Sequence, residues 1–454
     1  MSSPFWTLDR VAAALEQCAT ARLPRGSTSL AGITTDTRAL DPGELFVAIR
    51  GERFDGHDYL AAAVSAGAGA VVVSQAPPLG LLGIPVFQVD DTLVALGALG
   101  GYWRKVWGGT LVAVAGSNGK TTTKELIRAA VGKEMRVHAT TGNLNNRVGV
   151  PLTLLAIPPD AEVAVVEFGT SIPGEVGILR EIARPDIAVV TSVAEEHLEG
   201  LGDLAGVLRE ETACYDGVAI GVAPASQPEI EEVARTRSKR VVVAGLDRGD
   251  VTPRSWKLEA DGRGTLEFDG VIVSPPLRGL HNLQNTMLAV AIARTLEVKD
   301  ESIASGIARM PAPRMRVAWE SLGRATLIND AYNANPGSTR AAIGLLKGIG
   351  TGRQRVVVLG TMRELGPSSD KCHDDISRLA LESGADVVAG IGDFAASLER
   401  IAGSDKRVVT AASVEELWPL LSRRLDPNAV ILLKASRGVQ LEQLVPYLTS
   451  WATQ

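Results

Sequence analysis

The sequence predicts an α/β fold in three domains: a small N-terminal α/β unit (residues 1–88), a central domain on a parallel sheet (89–312) and a Rossmann-like C-terminal domain (313–454). Two observations carry this prediction. A chain of 454 residues is longer than one hydrophobic core usually organises. Short apolar runs also alternate with segments of helical spacing, which is typical of parallel sheets covered by helices on both faces. Pro311 and Pro313 mark the last boundary.

Composition and charge narrow the class of protein. The chain is 45% hydrophobic and 22% charged with a net charge of −6, so no basic excess indicates nucleic acid as a partner. The three cysteines lie far apart and match no disulfide or metal-ligand spacing, which suits a reducing compartment. No apolar run approaches the roughly 18 residues that a membrane span requires. We expect a cytoplasmic protein without a membrane span, and a monomer.

Two polar clusters flank the first predicted strand of the N-terminal unit. Its apolar residues predict strands at 45–49, 70–73 and 85–87 and a helix at 57–66. Asp36, Thr37 and Arg38 precede the first strand, and Asp55 and His57 follow it. Such clusters can bind a polar ligand. Aspartate, glycine and threonine also form turns through local hydrogen bonds, and on the residues alone this second interpretation is favoured.

The central domain opens with a helix at about 91–106, a buried strand at 111–115 and a glycine-rich turn. The residues that follow the strand are Gly116, Ser117, Asn118, Gly119, Lys120, Thr121 and Thr122. Backbone N–H groups of such a turn and the positive end of the next helix converge on an anion. In this pattern Lys120 contacts the outer phosphates and the Thr121 hydroxyl holds Mg²⁺.

The match is to the shorter form of the phosphate-loop pattern. The full pattern places a glycine five residues before Gly119, where this chain has Val114. The alternative, an ordinary glycine-rich turn, is disfavoured because strand, turn, lysine and hydroxyl stand in the required order. We therefore predict a P-loop domain of the ATPase-like kind.

The central domain has further predicted strands at 163–166, 187–190 and 240–243. Two candidate metal ligands follow the first two of these strands. Glu167 comes directly after one strand, and His197 follows the next. Ligands of parallel sheets bind outside the carboxyl ends of the strands. One such residue alone is typically a solvated loop residue, but two beside a phosphate loop indicate a metal site.

A pair of amides and a set of polar loops complete the candidates. Asn282 and Asn285 belong to the segment 278–285 that opens a helix predicted at 286–296, and because they are three apart both lie on one helical face. They can read the edge of a base or cap the helix, and both interpretations stay open. Strands predicted at 326–328, 356–359, 387–389 and 430–433 end in polar loops. These loops form either a second binding surface or ordinary solvated turns.

Together these motifs resemble the Mur ligase family, ATP-dependent enzymes that extend the peptide of bacterial cell-wall precursors. The resemblance runs from Asp36 to Glu442 and includes the phosphate loop without its first glycine. Three stretches, 142–151, 330–336 and 360–366, are similar to the members that add D-alanyl-D-alanine. The Asp-Asn-Pro-Arg signature of the members that add the third residue is not present.

The resemblance implies cofactors, substrates and residue roles. It implies ATP and Mg²⁺ as cofactors, and UDP-N-acetylmuramoyl-tripeptide and D-alanyl-D-alanine as substrates. The implied catalytic residues are Lys120, Glu167, His197 and Glu211, and the implied metal ligands are Thr121, Glu167 and His197. The implied nucleotide site consists of Gly116, Ser117, Asn118, Gly119, Lys120, Thr121, Thr122, Asn282, Asn285, Arg314 and Asp330. The implied substrate contacts are Asp36, Thr37, Arg38, Asp55, His57, Asn143, Asn145, Asn146, Asn333, Asn335, Lys434, Ser436 and Arg437.

The chain departs from the family pattern at Glu211. Members usually carry there a lysine that is carbamylated to give a carboxylate. Glu211 keeps the negative charge on a shorter side chain, so it either reaches a second Mg²⁺ through water, leaves that metal weakly bound, or is a solvated helix residue. Thr361 and Ala435 are smaller departures. Besides a D-alanyl-D-alanine ligase, Thr361 and Ala435 leave open a ligase with another acceptor, and Glu211 leaves open a nucleotide-binding homologue without catalysis.

Overall fold

The computed structural model describes residues 5–51, 54–75, 83–349 and 351–453. Its packing divides the chain into two compact units. The first consists of Met1–Val112, His138–Phe168 and Gly177–Asp186, and the second of Ala113–Val137, Gly169–Val176 and Ile187–Gln454. Within the described residues, no helix is long and apolar enough to cross a membrane. The predicted α/β class is confirmed, because most strands pair in parallel and alternate with helices.

The N-terminal sheet is fully parallel and has the strand order β1-β2-β3-β4. Its strands are β1 (Ile33–Thr34), β2 (Leu45–Val47), β3 (Ala70–Val73) and β4 (Val86–Gln88), and its helices are α1 (Leu8–Leu15), α2 (Leu60–Ser65) and α3 (Thr92–Trp107). The helix predicted at 57–66 is wrong in its first turn. A 3₁₀ turn, Gly56–Tyr59, precedes α2, because the Asp55 carboxylate accepts the His57 N–H and fixes a tight turn there.

A six-stranded sheet has the order β10-β9-β8-β5-β7-β6. Its strands are β5 (Thr110–Ala115), β6 (Val137–Ala139), β7 (Val163–Glu167), β8 (Ile187–Val190), β9 (Ile220–Pro224) and β10 (Arg240–Ala244). The accompanying helices are α4 (Lys120–Val131), α5 (Gly149–Leu155), α6 (Glu175–Ala183), α7 (Leu198–Leu201), α8 (Leu204–Glu211) and α9 (Pro228–Arg237). Every residue of β7 and β8 is buried, which explains why their sequences are continuous apolar runs.

A small antiparallel sheet follows that the sequence did not predict. It consists of β11 (Ser255–Leu258), β12 (Gly264–Phe268) and β13 (Val271–Val273), and two helices come next, α10 (Leu280–Thr295) and α11 (Asp300–Ala308). Only β12 alternates buried and half-buried residues clearly. The helix predicted at 286–296 is wrong at its start, because α10 begins six residues earlier, directly after Gly279.

The C-terminal sheet has the order β14-β15-β19-β16-β17-β18 and is parallel except for β14. Its strands are β14 (Ala318–Leu322), β15 (Ala325–Asp330), β16 (Arg355–Gly360), β17 (Val387–Ile391), β18 (Val408–Ala411) and β19 (Val430–Lys434). Its helices are α12 (Pro336–Gly348), α13 (Ser369–Glu382), α14 (Asp393–Ala402), α15 (Val414–Leu421) and α16 (Leu444–Ala452). The three central strands β15, β19 and β16 therefore bring the predicted polar loops to one edge.

Tyr215 ends the 3₁₀ turn that follows α8, and its side chain links β8 to β9. Its buried hydroxyl donates to the Val222 carbonyl at 2.7 Å and accepts the Val190 N–H at 3.1 Å. Because both backbone groups lie in the core, a lost partner leaves them unsatisfied.

We expect Tyr215→Phe to lower the free energy of unfolding by about 1–3 kcal/mol, since it strands a buried donor and a buried acceptor. Urea unfolding followed by circular dichroism measures the difference. Tyr447→Phe is the matched control, because Tyr447 is 39% exposed. Equal stability of the Tyr215→Phe variant and the native chain would contradict the role given to this hydroxyl.

Candidate functional site

The turn between β5 and α4 has the predicted strand–turn–helix geometry. Gly116 and Gly119 have φ angles of +118° and +87°, which favour glycine. A Cβ on Gly116 would lie 2.4 Å from Thr191 Oγ1, and one on Gly119 would lie 2.7 Å from Asn285 Oδ1. Both glycines are therefore required by conformation and by close approach. Thr121 and Thr122 lie in the first turn of α4, and Thr122 is buried.

Hydrogen bonds fix the loop against the segment that follows β8. The Ser117 hydroxyl accepts the Ala194 N–H at 3.0 Å, and the Asn118 N–H donates to Ser192 Oγ at 3.1 Å. The Thr191 hydroxyl donates to the Asn118 carbonyl at 2.6 Å. The loop is thus held in shape by its neighbours.

Lys120 is a largely buried ammonium between carbonyls and carboxylates. Its Nζ donates to the Gly116 carbonyl at 2.5 Å and to the Ser117 carbonyl at 3.4 Å. Glu196 Oε2 lies 3.9 Å away and Glu211 Oε1 lies 4.0 Å away. Only 13% of the lysine side chain is exposed, so these groups compensate a charge that water scarcely reaches.

Glu211 is buried at the end of α8, with 1% of the residue exposed. Its Oε2 accepts the Gly116 N–H at 2.7 Å. Burial raises the pKa of this carboxyl, although Lys120 and the Gly116 hydrogen bond act in the opposite direction. The interpretation of Glu211 as a solvated helix residue is therefore wrong. The side chain instead links α8 to the phosphate loop and to Lys120.

Glu196 is a residue of this site that sequence reasoning missed. It is 7% exposed, and its Oε1 accepts a hydrogen bond from Asn333 Nδ2 at 3.1 Å. Within the described parts of the chain, its buried Oε2 accepts no hydrogen bond. The available signal was its place directly before His197, but an acidic residue in a polar loop is usually solvated.

His197 lies beside Glu196 in the same site. Its φ of +53° is in the left-handed region, which strains the backbone of a residue other than glycine. Its Nδ1 hydrogen-bonds a carboxylate oxygen of Glu364, and its Nε2 lies 3.6 Å from Glu196 Oε1. Burial acts to lower the pKa of His197, but the hydrogen bond to Glu364 and the charge of Glu196 outweigh it, so the pKa is raised. Glu364 lies in the polar loop that follows β16.

Loops of the C-terminal sheet lie against the phosphate loop. Asn335 and Asn118 exchange two side-chain hydrogen bonds, of 2.9 and 3.3 Å. Lys434 Nζ pairs with Asp330 Oδ2 at 2.8 Å and donates to the Asn333 carbonyl at 2.6 Å. Of the two interpretations of these loops, the structure favours a binding surface, because the side-chain amides of Asn333 and Asn335 donate hydrogen bonds to Glu196 and Asn118 beside the phosphate loop.

Asn282 and Asn285 lie inside α10 and are buried. Asn285 Nδ2 donates to Asn282 Oδ1 at 3.3 Å, and Asn282 Nδ2 donates to the Arg278 carbonyl at 2.8 Å. The capping interpretation is wrong, because Gly279 is the residue at the N-cap. Asn285 packs directly against Gly119, which places this amide beside the phosphate loop.

In the first unit, Glu167 ends β7 and is 3% exposed. Its Oε1 accepts a hydrogen bond from Asn145 Nδ2 at 3.0 Å, and its N–H donates to Thr140 Oγ1 at 2.9 Å. Its Oε2 is buried and accepts no hydrogen bond from the residues that the structure describes. Asn146 accepts the Gly149 N–H at the start of α5, while Asn143 is exposed.

The N-terminal clusters are satisfied internally. Arg38 donates twice to Asp36, at 2.9 and 2.6 Å, and this hydrogen bonding lowers the pKa of Asp36 to about 2. His57 Nδ1 lies 2.6 Å from Asp55 Oδ1, and His57 Nε2 accepts the Ser74 N–H at 2.9 Å. The turn interpretation accounts for these contacts, and the predicted substrate contacts, including the half-buried Thr37, stay predictions.

Three further predicted residues belong to the C-terminal domain, and of these Ser436 contacts the loop that carries Asn333 and Asn335. Arg314 is exposed. Arg437 pairs with Glu442 at 2.6 Å. The Ser436 hydroxyl donates to a backbone carbonyl at 3.2 Å and accepts a backbone N–H at 2.9 Å, so it supports the loop after β19.

The described residues contain no cluster of three or more acidic, histidine or cysteine side chains that could hold a metal ion alone. A magnesium ion bound with a nucleotide needs only one or two carboxylates, because phosphates and water complete its octahedron. The buried, unsatisfied carboxylate oxygens of Glu167 and Glu196 suit that chemistry. The donor sets therefore fit Mg²⁺ that arrives with a nucleotide.

The fold and the site define a class of protein: an α/β phosphate-loop protein in which loops of a further α/β domain meet the phosphate loop. Family sequence models match consecutive segments, described as the Mur ligase family catalytic domain (29–100), the Mur ligase middle domain (114–293) and the Mur ligase glutamate ligase domain (313–437). The chain belongs to the Mur ligase family.

Relatives match along most of their length. The UDP-N-acetylmuramoyl-tripeptide--D-alanyl-D-alanine ligases of Bacillus subtilis and Escherichia coli are 33% and 34% identical, over 92% of this chain and 93% of theirs. A crystal structure of MurF from Acinetobacter baumannii has a TM-score of 0.89 at 29% identity and covers 98% of this chain and 99% of its own. MurF ligase from Thermotoga maritima, in complex with ADP, has a TM-score of 0.82 at 25% identity and covers 93% and 98%.

We expect Gly119→Ala to weaken the binding of a fluorescent ATP analogue by roughly tenfold or more, since the added methyl group collides with the Asn285 amide and displaces the loop. Gly217→Ala is the matched control, because Gly217 has a similar φ of +75° but nothing within 4 Å of the added carbon. An equal loss of affinity in both variants would show that backbone strain alone, and not this contact, decides binding.

Proposed function

We propose that this chain is an ATP-dependent amide ligase that joins D-alanyl-D-alanine to UDP-N-acetylmuramoyl-tripeptide in peptidoglycan precursor synthesis, with Mg²⁺ as cofactor. The names of its relatives and its place in the Mur ligase family support the reaction. The observation that carries the proposal is the contact between the phosphate loop that contains Lys120 and a polar loop of the C-terminal sheet, made by the Asn118–Asn335 pair. Monomeric state and cytoplasmic location stay predictions from the sequence.

Each domain has a proposed part in binding. The N-terminal domain, 1–88, would hold the UDP-sugar end through Asp36, Thr37, Arg38, Asp55 and His57. The central domain, 89–312, would hold ATP through the phosphate loop and the amides of Asn282 and Asn285. The C-terminal domain, 313–454, would present the incoming dipeptide and close on the nucleotide. Two hydrogen bonds, from Asn333 to Glu196 and from Asn335 to Asn118, join the residues assigned to the central and C-terminal domains.

The reaction proceeds through an acyl phosphate. An oxygen of the tripeptide carboxylate attacks the γ-phosphorus of ATP, and ADP leaves. The dipeptide amine then attacks the carbonyl carbon, loses a proton and expels phosphate, so a C–N bond replaces the C–O bond. Lys120 and the loop N–H groups stabilise the charge that develops on the transferred phosphoryl group.

The proposed metal ligands follow from the donor groups. Mg²⁺ neutralises the repulsion between the carboxylate and the triphosphate. Thr121 in the second unit and Glu167 in the first are each proposed as magnesium ligands, and His197 is a further proposed ligand. A second hypothesis, a homologue that binds nucleotide without catalysis, is favoured by one observation only, the glutamate at position 211. Its carboxylate is engaged with the Gly116 N–H, so its freedom to serve as a metal ligand is limited.

Contacts between loops of the central and C-terminal domains would exclude water from the acyl phosphate. The acyl phosphate hydrolyses readily, so water must be kept from it until the amine arrives. The Asn118–Asn335 pair, the hydrogen bond from Asn333 to Glu196 and the His197–Glu364 contact hold the loops together. Thr361 and Ala435, by contrast, support the C-terminal domain itself: Thr361 Oγ1 accepts the Asp393 N–H, and Ala435 is fully buried. They give little support to a different acceptor.

We expect phosphate release and a product mass equal to the two substrates minus water only when ATP, Mg²⁺, the tripeptide nucleotide and D-alanyl-D-alanine are all present. Omission of any one should reduce both signals to background. Lys120→Met should abolish turnover, because the phosphates lose their cation. ATP binding without product, with every amine in a panel of acceptors, would instead support the non-catalytic hypothesis.

A further inference from the structure

Two carboxylate oxygens in the second unit are buried without a hydrogen-bond partner among the described residues, one of Glu442 and one of Glu196, and the oxygen of Glu196 is the one near Lys120 of the phosphate loop. Glu196 is 93% buried, as its 7% exposure implies. Its other oxygen accepts the Asn333 amide at 3.1 Å, which fixes the carboxylate plane. Buried carboxylate oxygens are normally paired, so an unsatisfied one inside a polar cluster needs an explanation.

The carboxylate of Glu196 lies near one cation and one potentially cationic ring, and it also interacts with the carboxylate of Glu211. Lys120 Nζ lies 3.9 Å from Glu196 Oε2, beyond hydrogen-bond distance. His197 Nε2 lies 3.6 Å from Glu196 Oε1. Glu211 differs from Glu196 because its Oε2 already accepts the Gly116 N–H at 2.7 Å. Glu196 is therefore the carboxylate of this cluster with a coordination position to spare.

A triphosphate that enters the loop changes this balance of charge. Before it binds, Lys120 faces two carboxylates and two carbonyls. When Lys120 turns to the phosphates, Glu196 Oε2 loses the ammonium group beside it and faces further negative charge. Burial strengthens that repulsion, because water screens it poorly.

We propose that Glu196 makes nucleotide binding conditional on a divalent cation: without the cation its carboxylate repels the phosphates, and with the cation its Oε2 joins the metal's coordination sphere. Glu211, in contrast, is a positioning residue that acts through the loop N–H group. The proposal rests on the proposed nucleotide site and does not depend on which amine is the acceptor.

The test is the affinity of a non-hydrolysable ATP analogue, measured with Mg²⁺ and again with EDTA, for the native chain and for Glu196→Gln. Glutamine keeps the shape and still accepts the Asn333 hydrogen bond, but it removes the charge. We expect the variant to bind the analogue several-fold tighter than the native chain in EDTA and several-fold weaker in Mg²⁺. Opposite changes of this kind cannot come from a loss of structure alone.

Manganese supplies a second readout. Electron paramagnetic resonance counts bound Mn²⁺ per nucleotide, and the count should fall by one in Glu196→Gln. Glu196→Asp keeps the charge and should keep the native sign of the cation dependence. Glu195→Gln is the matched control, because Glu195 is already paired with Arg340 at 3.2 Å and is partly exposed, so its cation dependence should be native.

The outcomes separate this inference from the proposed function. An equal change of affinity in Mg²⁺ and EDTA, or an unchanged Mn²⁺ count, would overturn the role of Glu196 and leave the ligase proposal standing. Failure of the native chain to bind nucleotide under either condition would overturn the proposed nucleotide site, and the inference with it. Native-like cation dependence in Glu196→Gln would likewise overturn the inference.

Discussion

The compensation of one buried ammonium group organises the site. Lys120 is nearly inaccessible to water and would be costly to bury alone. Its partners come from three separate segments: the phosphate loop, the loop after β8 and the end of α8. Each of these segments must be in place for the charge to be balanced. The same arrangement keeps Lys120 beside the loop that is proposed to bind phosphates.

The two carboxylates around Lys120 divide their tasks. Glu211 is tied to the Gly116 N–H, so it holds the loop in shape. Glu196 is tied to Asn333, so it links the central and C-terminal loops and keeps one oxygen unsatisfied. The resemblance implies a lysine at position 211, and this chain has a buried glutamate there instead.

Local patterns predicted what depends on neighbours in sequence. The apolar strands and the glycine turn were correct because burial on both faces and left-handed backbone leave direct marks on composition. Glu196 was missed because its significance comes from Asn333 and Lys120, which are distant in sequence. The sheet β11–β13 was missed because β11 is largely exposed and has no clear alternation. The start of α10 was misplaced because its first turns carry polar residues that are buried by tertiary contacts.

We infer that the γ-phosphoryl group of ATP passes to a carboxylate and not to water. Isotope transfer tests it directly: the terminal carboxylate of the tripeptide nucleotide is labelled with a heavy oxygen isotope, and the phosphate released during turnover is analysed by mass spectrometry. The account predicts one labelled oxygen in each phosphate formed with product, since the bond between carbon and that oxygen breaks. Phosphate that carries oxygen from water instead would show simple ATP hydrolysis and contradict the account.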